Sequence, residues 1–257
     1  MILSLVNLKG GVGKTTTAVN LGATFAANGL RCLLVDLDPQ SSASFSLALR
    51  EDDPQRSVAG CLLEGVAAAD AIRETSVEGL DLLAGSMALA GADLALARKH
   101  HPEQGLSQVL RPVGRRYDAI VIDCPPGLSV LTLNGLAASS AFVLPVVPHD
   151  LALEALDRFF EGWERLPLTP RQRPELLGIL PNMVDHRTNL ADEVVLAIRK
   201  QFGRRVFRTE IPINVRLAEA PGYGMTIFQY ESWSSGAAAY RKLGAEVLRR
   251  ARKADLL

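Results

Sequence analysis

Lys9-Gly10-Gly11-Val12-Gly13-Lys14-Thr15-Thr16 follows directly on an apolar run, Ile2 to Val6, and leads into a helical pattern. No other stretch restricts the fold of this chain so tightly. A strand, a glycine-rich turn and a helix N-terminus together make an anion site. Successive backbone N–H groups converge there, and the helix dipole favours negative charge. In that frame Lys14 reaches the β/γ-phosphates of a nucleotide and the Thr15 hydroxyl ligates Mg²⁺. The usual spacing asks for glycine five residues before Gly13, where this chain has Leu8; a second lysine, Lys9, opens the loop instead.

Short apolar runs alternate with helical stretches along the chain. That pattern predicts an α/β fold: a doubly wound, mostly parallel sheet with helices on both faces. Strands are expected near Ile2–Asn7, Arg31–Asp36, Leu80–Leu83, Ala119–Asp123, Ala141–Val147, Leu176–Asn182 and Arg205–Ile211. Their near-continuous apolar character suits strands covered on both faces. The first helix should run from the loop to about Asn28, with Gly29 as its stop. Further helices are expected over Leu151–Arg165 and Ala237–Lys253, and 165–175 reads as a proline-rich connection. The 257 residues are read as one domain, 1–257.

Composition excludes little but is consistent with this fold. Apolar residues make up 48% of the chain and charged residues 22%, as in ordinary soluble globular proteins. No apolar run approaches the ~18 residues of a membrane span, and the first one carries no basic leader, so a cytoplasmic location is expected. Cys32, Cys61 and Cys124 have no paired or metal-like spacing and are read as packing residues. Net charge is zero, yet residues 1–156 hold 11 basic against 16 acidic side chains, and 157–257 hold 17 against 12. A neutral total therefore conceals a basic half.

Two further stretches carry carboxylates toward the loop. Leu33-Leu34-Val35-Asp36-Leu37-Asp38-Pro39-Gln40 ends a strand with acids at i and i+2. Such a pair shares a face and, at the strand's C-terminal end, is expected to reach the crevice where nucleotides bind. Ala119-Ile120-Val121-Ile122-Asp123 is a buried strand ending in an acid, the layout of a carboxylate that orients a Mg²⁺ shell. Pro125-Pro126-Gly127 then breaks the strand into a switch loop.

Together KGGVGKTT, LLVDLDPQ, VIDCPPGLS and the late stretch IPINVRLAEAP resemble the ParA/MinD family of deviant Walker-A P-loop ATPases, and within it the small Soj-like ParA members. The resemblance runs from residue 2 to about 250 and implies ATP and Mg²⁺ as cofactors. It implies that Lys9 crosses a dimer interface to the partner's nucleotide, so that ATP closes a sandwich homodimer. Gly10, Gly11, Val12, Gly13, Lys14, Thr15 and Thr16 match the phosphate cradle. Asp38 matches the carboxylate that positions the attacking water, and Asp123 the acid of the buried strand; with Thr15 these are the Mg²⁺ residues. Asn182 and Pro212 fall where the family contacts adenine. Arg187 and Arg216 match arginines that Soj-like members use on non-specific DNA. A ParB-like or cargo-adaptor protein that stimulates hydrolysis is the implied partner, and an ATP-bound form on the nucleoid the implied location.

Departures bear on that partner more than on the nucleotide: Leu8 replaces a usual glutamine, and Val147-Pro148-His149-Asp150 differs from the family's switch stretch. His149 reads as a structural or exposed loop histidine, since the attacking water needs positioning more than deprotonation. The strand begins at residue 2, so an N-terminal element that reads operator sequence is not expected. Two other classes of function compete. A MinD-like membrane-surface ATPase needs an amphipathic C-terminus, and Arg249–Leu257 offers only two terminal leucines. A redox enzyme on this fold needs two ligand cysteines per subunit at an interface, which the three cysteines do not offer. An ATP-dependent ligase or synthetase would turn over without DNA or a protein partner.

Overall fold

Alternation along the central strands sorts the core into two layers. In β2 (Cys32–Asp36), Cys32 and Leu34 belong to one apolar layer and Leu33 and Val35 to the other. β5 (Ala119–Asp123) and β6 (Ala141–Val146) divide the same way, and every residue of these three strands is buried. Period-2 side chains on a doubly covered sheet require this arrangement. The computed structural model describes residues 1–49 and 54–257.

The remaining strands are β1 (Ile2–Leu5), β3 (Ile72–Glu74), β4 (Leu80–Leu83) and β7 (Glu175–Pro181). The sheet order is β3-β4-β2-β5-β1-β6-β7, parallel except for β3 against β4. Helices in chain order are α1 (Lys14–Ala27), α2 (Ser42–Ser46), α3 (Ala68–Ala71), α4 (Ala92–Ala97), α5 (Gly105–Leu110), α6 (Val130–Ala138), α7 (Ala152–Glu164), α8 (Asn189–Phe202), α9 (Val215–Glu219), α10 (Ile227–Tyr230) and α11 (Ser235–Lys253). α1 and α11 pack in the layer of Leu3, Leu34 and Val121; α6, α7 and α8 pack in the layer of Leu33 and Ile122. From β1 the chain passes through α1 to β2, and from β5 through α6, on the other face, to β6. Right-handed crossovers in opposite directions demand opposite faces. The reversal opens a crevice at the carboxyl end of β1.

Six of the seven expected strands are present. The seventh, 205–211, is not a strand. It touches β7 through one bridge, Ile179 to Val206, and through Phe207 N–H to Ile179 O and Ile211 N–H to Pro181 O. Its Arg-Val-Phe-Arg-Thr-Glu-Ile pattern is apolar enough to lie along the sheet edge, but its ladder is interrupted. Conversely β3 was not legible: three residues, Ile-Arg-Glu, form an antiparallel edge strand through tertiary placement rather than pattern. The helices expected at 151–165 and 237–253 fall within two residues of α7 and α11.

α1 and α11 pack tightly. Gly244 lies where a Cβ would overlap Thr24, and the Thr17 hydroxyl meets the buried Tyr240 hydroxyl at 3.2 Å. Gly244→Ala should therefore destabilise the protein in urea unfolding. The overpacking penalty of about 1–3 kcal/mol exceeds the ~1 kcal/mol that alanine gains in a helix. A stabilised Gly244→Ala protein would mean that the two helices separate freely.

Candidate nucleotide site

The loop between β1 and α1 is held at both ends by asparagines. At its start the Asn7 side chain donates to Pro145 O (2.7 Å) and accepts from Lys9 N–H (2.9 Å). At its end Asn182, at the carboxyl end of β7, donates to Val12 O (2.7 Å) and accepts from Met183 N–H (3.1 Å). Gly11 and Gly13 take positive φ (72° and 80°), and a Cβ on Gly13 would overlap the Asn182 amide. Only glycine fits there. With the chain so bent, the N–H groups of Gly11, Gly13, Lys14 and Thr15 find no acceptor among the described residues. Together they form an open anion nest at a helix N-terminus.

Lys14 is buried, and its ammonium donates to Lys9 O at 3.1 Å. Burial lowers its pKa; the nearby carboxylates of Asp123 and Asp38 pull it back up. An ammonium carries three donors, so two remain for an anion in the nest.

Asp36 and Asp123 are register partners across β2 and β5, and both point to the α1 face. Asp36 is fully buried and accepts from Ser44 N–H (2.8 Å) and the Ser44 hydroxyl (2.7 Å). Burial pushes its carboxyl up to about 6 against these hydrogen bonds. The expectation that Asp36 and Asp38 both reach the crevice therefore fails for Asp36, which fastens α2 to the end of β2. Asp38, beyond the strand end, lines the cleft, with Oδ1 accepting from Gln40 N–H at 2.9 Å. Asp123 is also fully buried, and among the described residues neither of its oxygens meets a donor at full hydrogen-bond geometry, the Thr15 hydroxyl being the nearest help. Desolvation first, then the facing Asp36, raises its pKa well above the usual range, while Thr15 and Lys14 oppose the shift. A buried carboxylate left short of donors signals a missing partner.

Above these groups lies a cleft of about 760 Å³, lined by Gly10, Gly13, Lys14, Thr15, Thr16 and Asp38 and closed by Pro125 and Pro126. Thr16 and Met183 also border a more apolar slot of about 350 Å³, whose other walls include Asn182, Ile211, Pro212 and Tyr240. Thus residues far apart in sequence meet here: the 10–16 loop and Asp38 at the cleft, Asn182 and Pro212 at the slot that shares Thr16 and Met183 with it, and Asp123 buried beside Lys14 and Thr15. Among the described residues no three His, Cys, Asp or Glu side chains converge as a metal site. A divalent ion here would depend on phosphate oxygens and water, as Mg²⁺ commonly does.

The profile of a family described as an AAA domain matches residues 1–173. The chromosome-partitioning ATPase Soj of Thermus thermophilus is 46% identical over 255 residues, 98% of this chain and 97% of that one. The sporulation initiation inhibitor protein Soj of Bacillus subtilis is 41% identical over 246 residues, covering 96% and 97%. The chain belongs to the Soj/ParA family. Among solved structures, cobyrinic acid a,c-diamide synthase from Mycobacterium smegmatis, with bound ATP analogue and magnesium, superposes at a TM-score of 0.84 with 34% identity, covering 98% and 96%.

The other residues singled out by the Soj/ParA resemblance lie around this space. Lys9 is exposed, its ammonium has no partner among the described residues, and it does not line its own cleft. Arg187 and Arg216 flank one short ladder, the Val184–Pro212 bridge. Both are exposed and both are paired: Arg187 with both oxygens of Asp185 (2.7 and 2.8 Å), Arg216 with Glu219 (2.8 Å). The guanidinium of Arg187 holds the Asp185 carboxyl down to about 2. Such exposed pairs are weak and screened by salt. His149 lies outside the cleft, and its Nδ1 accepts from Leu151 N–H (3.2 Å) at the start of α7, a structural role. The three cysteines are buried; Cys124 packs against Gly135.

Asn7 and Ser44 escaped the sequence reading, although Asn7 had a signal: a polar residue ending an apolar run immediately before the loop. Ser44 had none, because only the fold brings α2 over β2.

Because Asp36 holds its proton more tightly in the fold, its stabilising contribution is full below the unfolded pKa of about 3.9 and is lost as pH rises through about 6. Asp36→Asn keeps an acceptor for Ser44. It should stabilise the nucleotide-free protein at pH 7.5, by at most about 3 kcal/mol, and leave it unchanged near pH 4. Calorimetric melts across that range check it; a difference independent of pH would remove buried charge as the cause.

Proposed function

We propose that this protein is a Mg²⁺-dependent ATPase that dimerises on ATP, binds DNA without reading its sequence, and segregates or positions a cargo. One observation carries the nucleotide chemistry: the buried Asp123, under-satisfied among the described residues, lies beneath an open nest of amides, beside Lys14 and Thr15. These groups fit a nucleotide with its metal. Thr15 would hold Mg²⁺ directly, and Asp123 and Asp38 would hold it through its waters; the ion supplies charge neutralisation at the β/γ-phosphates. Asn182 and Pro212 bound the slot that takes adenine, with Thr16 at its junction with the phosphates.

Each residue then has a role that follows from its place. The nest and Lys14 fix the phosphates and stabilise charge that develops during transfer. Asp38, the acid open to the cleft, orients the attacking water. Lys9, absent from its own cleft, supplies a cation to the partner's phosphates, so closing the dimer offsets phosphate repulsion. Arg187 and Arg216 exchange their acids for DNA phosphates, and dimerisation doubles that charge. A cargo-bound partner of the ParB type completes the switch loop at Pro125–Gly127 and speeds hydrolysis, after which the dimer opens and DNA is released. The ATP-bound form resides on the nucleoid within the cytoplasm.

A MinD-like reading would rest on an amphipathic helix with a continuous apolar face; Leu256 instead packs against the core layer of α1 and α11. No described helix is long and apolar enough to cross a membrane.

Cosedimentation with random-sequence DNA tests the proposal, with ATP·Mg²⁺, with ADP and without nucleotide, at low and moderate salt. Wild type should bind only with ATP and lose DNA steeply as salt rises. Lys14→Ala should lose both nucleotide and DNA. Asp38→Ala should bind ATP and DNA while hydrolysing at least about a hundredfold more slowly. Normal turnover in Asp38→Ala would remove that residue from the mechanism. An ATP dimer with no affinity for DNA would turn the assignment toward a small-molecule substrate, as in the synthase of like fold.

A further inference from the structure

An open groove of about 850 Å³ lies at the opposite end of β7 from the nucleotide slot, between Glu175–Leu177, the turn after α8 and the last turn of α11. Six of its lining residues are basic and two acidic, Glu175 and Glu246. Glu246 is only 4% exposed and already committed: it accepts from Arg208 N–H, Thr209 N–H, the Thr209 hydroxyl and Arg250. Two of the cations are part of the frame. Arg250 donates to Leu177 O and Val206 O and stacks 4.2 Å from the Phe207 ring; Arg199 is tied to Glu210 and Phe207 O.

Four cations remain. The side chains of Arg204, Arg208 and Lys253 are exposed and make no hydrogen bond or ion pair among the described residues, and Arg249 meets Glu246 only at 3.9 Å. The C-terminal ends of α8 and α11 draw positive charge here, each favouring nearby cations by up to about 1 kcal/mol. That does not account for Arg208, which belongs to neither helix. Like charges gathered without counter-ions repel one another unless an anion joins them.

We infer that this groove is a second DNA-contact surface, separate from Arg187 and Arg216, in which Arg204, Arg208, Arg249 and Lys253 seat backbone phosphates. No helix N-terminus aims amides into it, unlike the nucleotide cleft, so its grip on phosphate comes from cationic side chains, and that suits a repeating polyanion. The segment from Val206 to Ile213 follows the β7 edge from this groove to the ladder between Arg187 and Arg216. Arg208 and Arg216 are eight residues apart, at most roughly 27 Å along an extended chain. A duplex of that length carries roughly 15 phosphates, enough for both surfaces at once. The inference rests on the DNA-binding reading above.

Fluorescence anisotropy with a random-sequence duplex, in ATP·Mg²⁺ and over a range of salt, tests it. Arg204→Gln/Lys253→Gln should weaken binding about tenfold at moderate salt and reduce the slope of log affinity against log salt by about two. Arg204→Glu/Lys253→Glu should weaken it further, and Glu175→Lys should strengthen it. ATP turnover without DNA should stay unchanged in all three, as these residues lie away from the nucleotide. Wild-type affinity and slope in the Glu pair, with Arg187→Glu/Arg216→Glu abolishing binding, would overturn the inference alone. A wild type that binds no DNA in any nucleotide state would overturn the DNA reading itself and this groove with it.

Discussion

Asp36 and Asp123 stand opposite one another across two buried strands, and the rest of the site is arranged around that electrostatic problem. Two carboxylates at such range cannot both ionise cheaply without compensation. The structure treats them unequally. Asp36 receives two bonds from Ser44, which anchor α2 and leave Asp38 at the rim of the cleft. Asp123 has, among the described residues, only the nearby Thr15 hydroxyl and Lys14 to offset its burial, and so its environment favours a cation or a hydrated ion at the place where the loop gathers its amides. Structural support and ligand readiness are thus divided between two residues of the same kind.

The loop itself is stable only because distant strands hold it. Positive φ at Gly11 and Gly13 spends amides on no internal acceptor, and Asn7 and Asn182 offset this by fixing the chain on either side. Asn182 therefore connects two parts of one space. It clamps the phosphate loop through Val12 and, with Pro212, bounds the adjoining slot. An occupant of the slot would act on the residue that shapes the nest, so one side chain links the two parts of the space.

Charge on the surface follows a similar division. The chain is neutral overall, yet six basic side chains line the groove beside the start of β7, and Arg187 and Arg216 flank the Val184–Pro212 bridge beyond its end. Arg187 and Arg216 carry their own acids in exposed pairs, which are weak and screened by salt. Net charge conveys none of this, because the field at a surface depends on where the charges sit.

Sequence alone determined the fold class, the glycine loop between β1 and α1 and the placement of Asp38 and Asp123 at or beyond strand ends, because these are set by local periodicity, by glycine at positions of positive φ and by acids at strand ends. The late helices α7 and α11 were legible for the same reason, whereas α8 was not anticipated. Only the tertiary structure decided which acid of the 36/38 pair is free, since that depends on Ser44 lying over β2. It also decided that 205–211 runs beside the sheet without joining its ladder, and that Ile72–Glu74 does join, since edge pairing depends on the neighbouring strand more than on the segment's own residues. The arginines were legible as basic residues beyond strands, but their pairing with Asp185 and Glu219 was not, nor were the cations around Arg204 that have no partner among the described residues. Linear charge says how many ions a chain carries; the folded chain decides which of them already have partners.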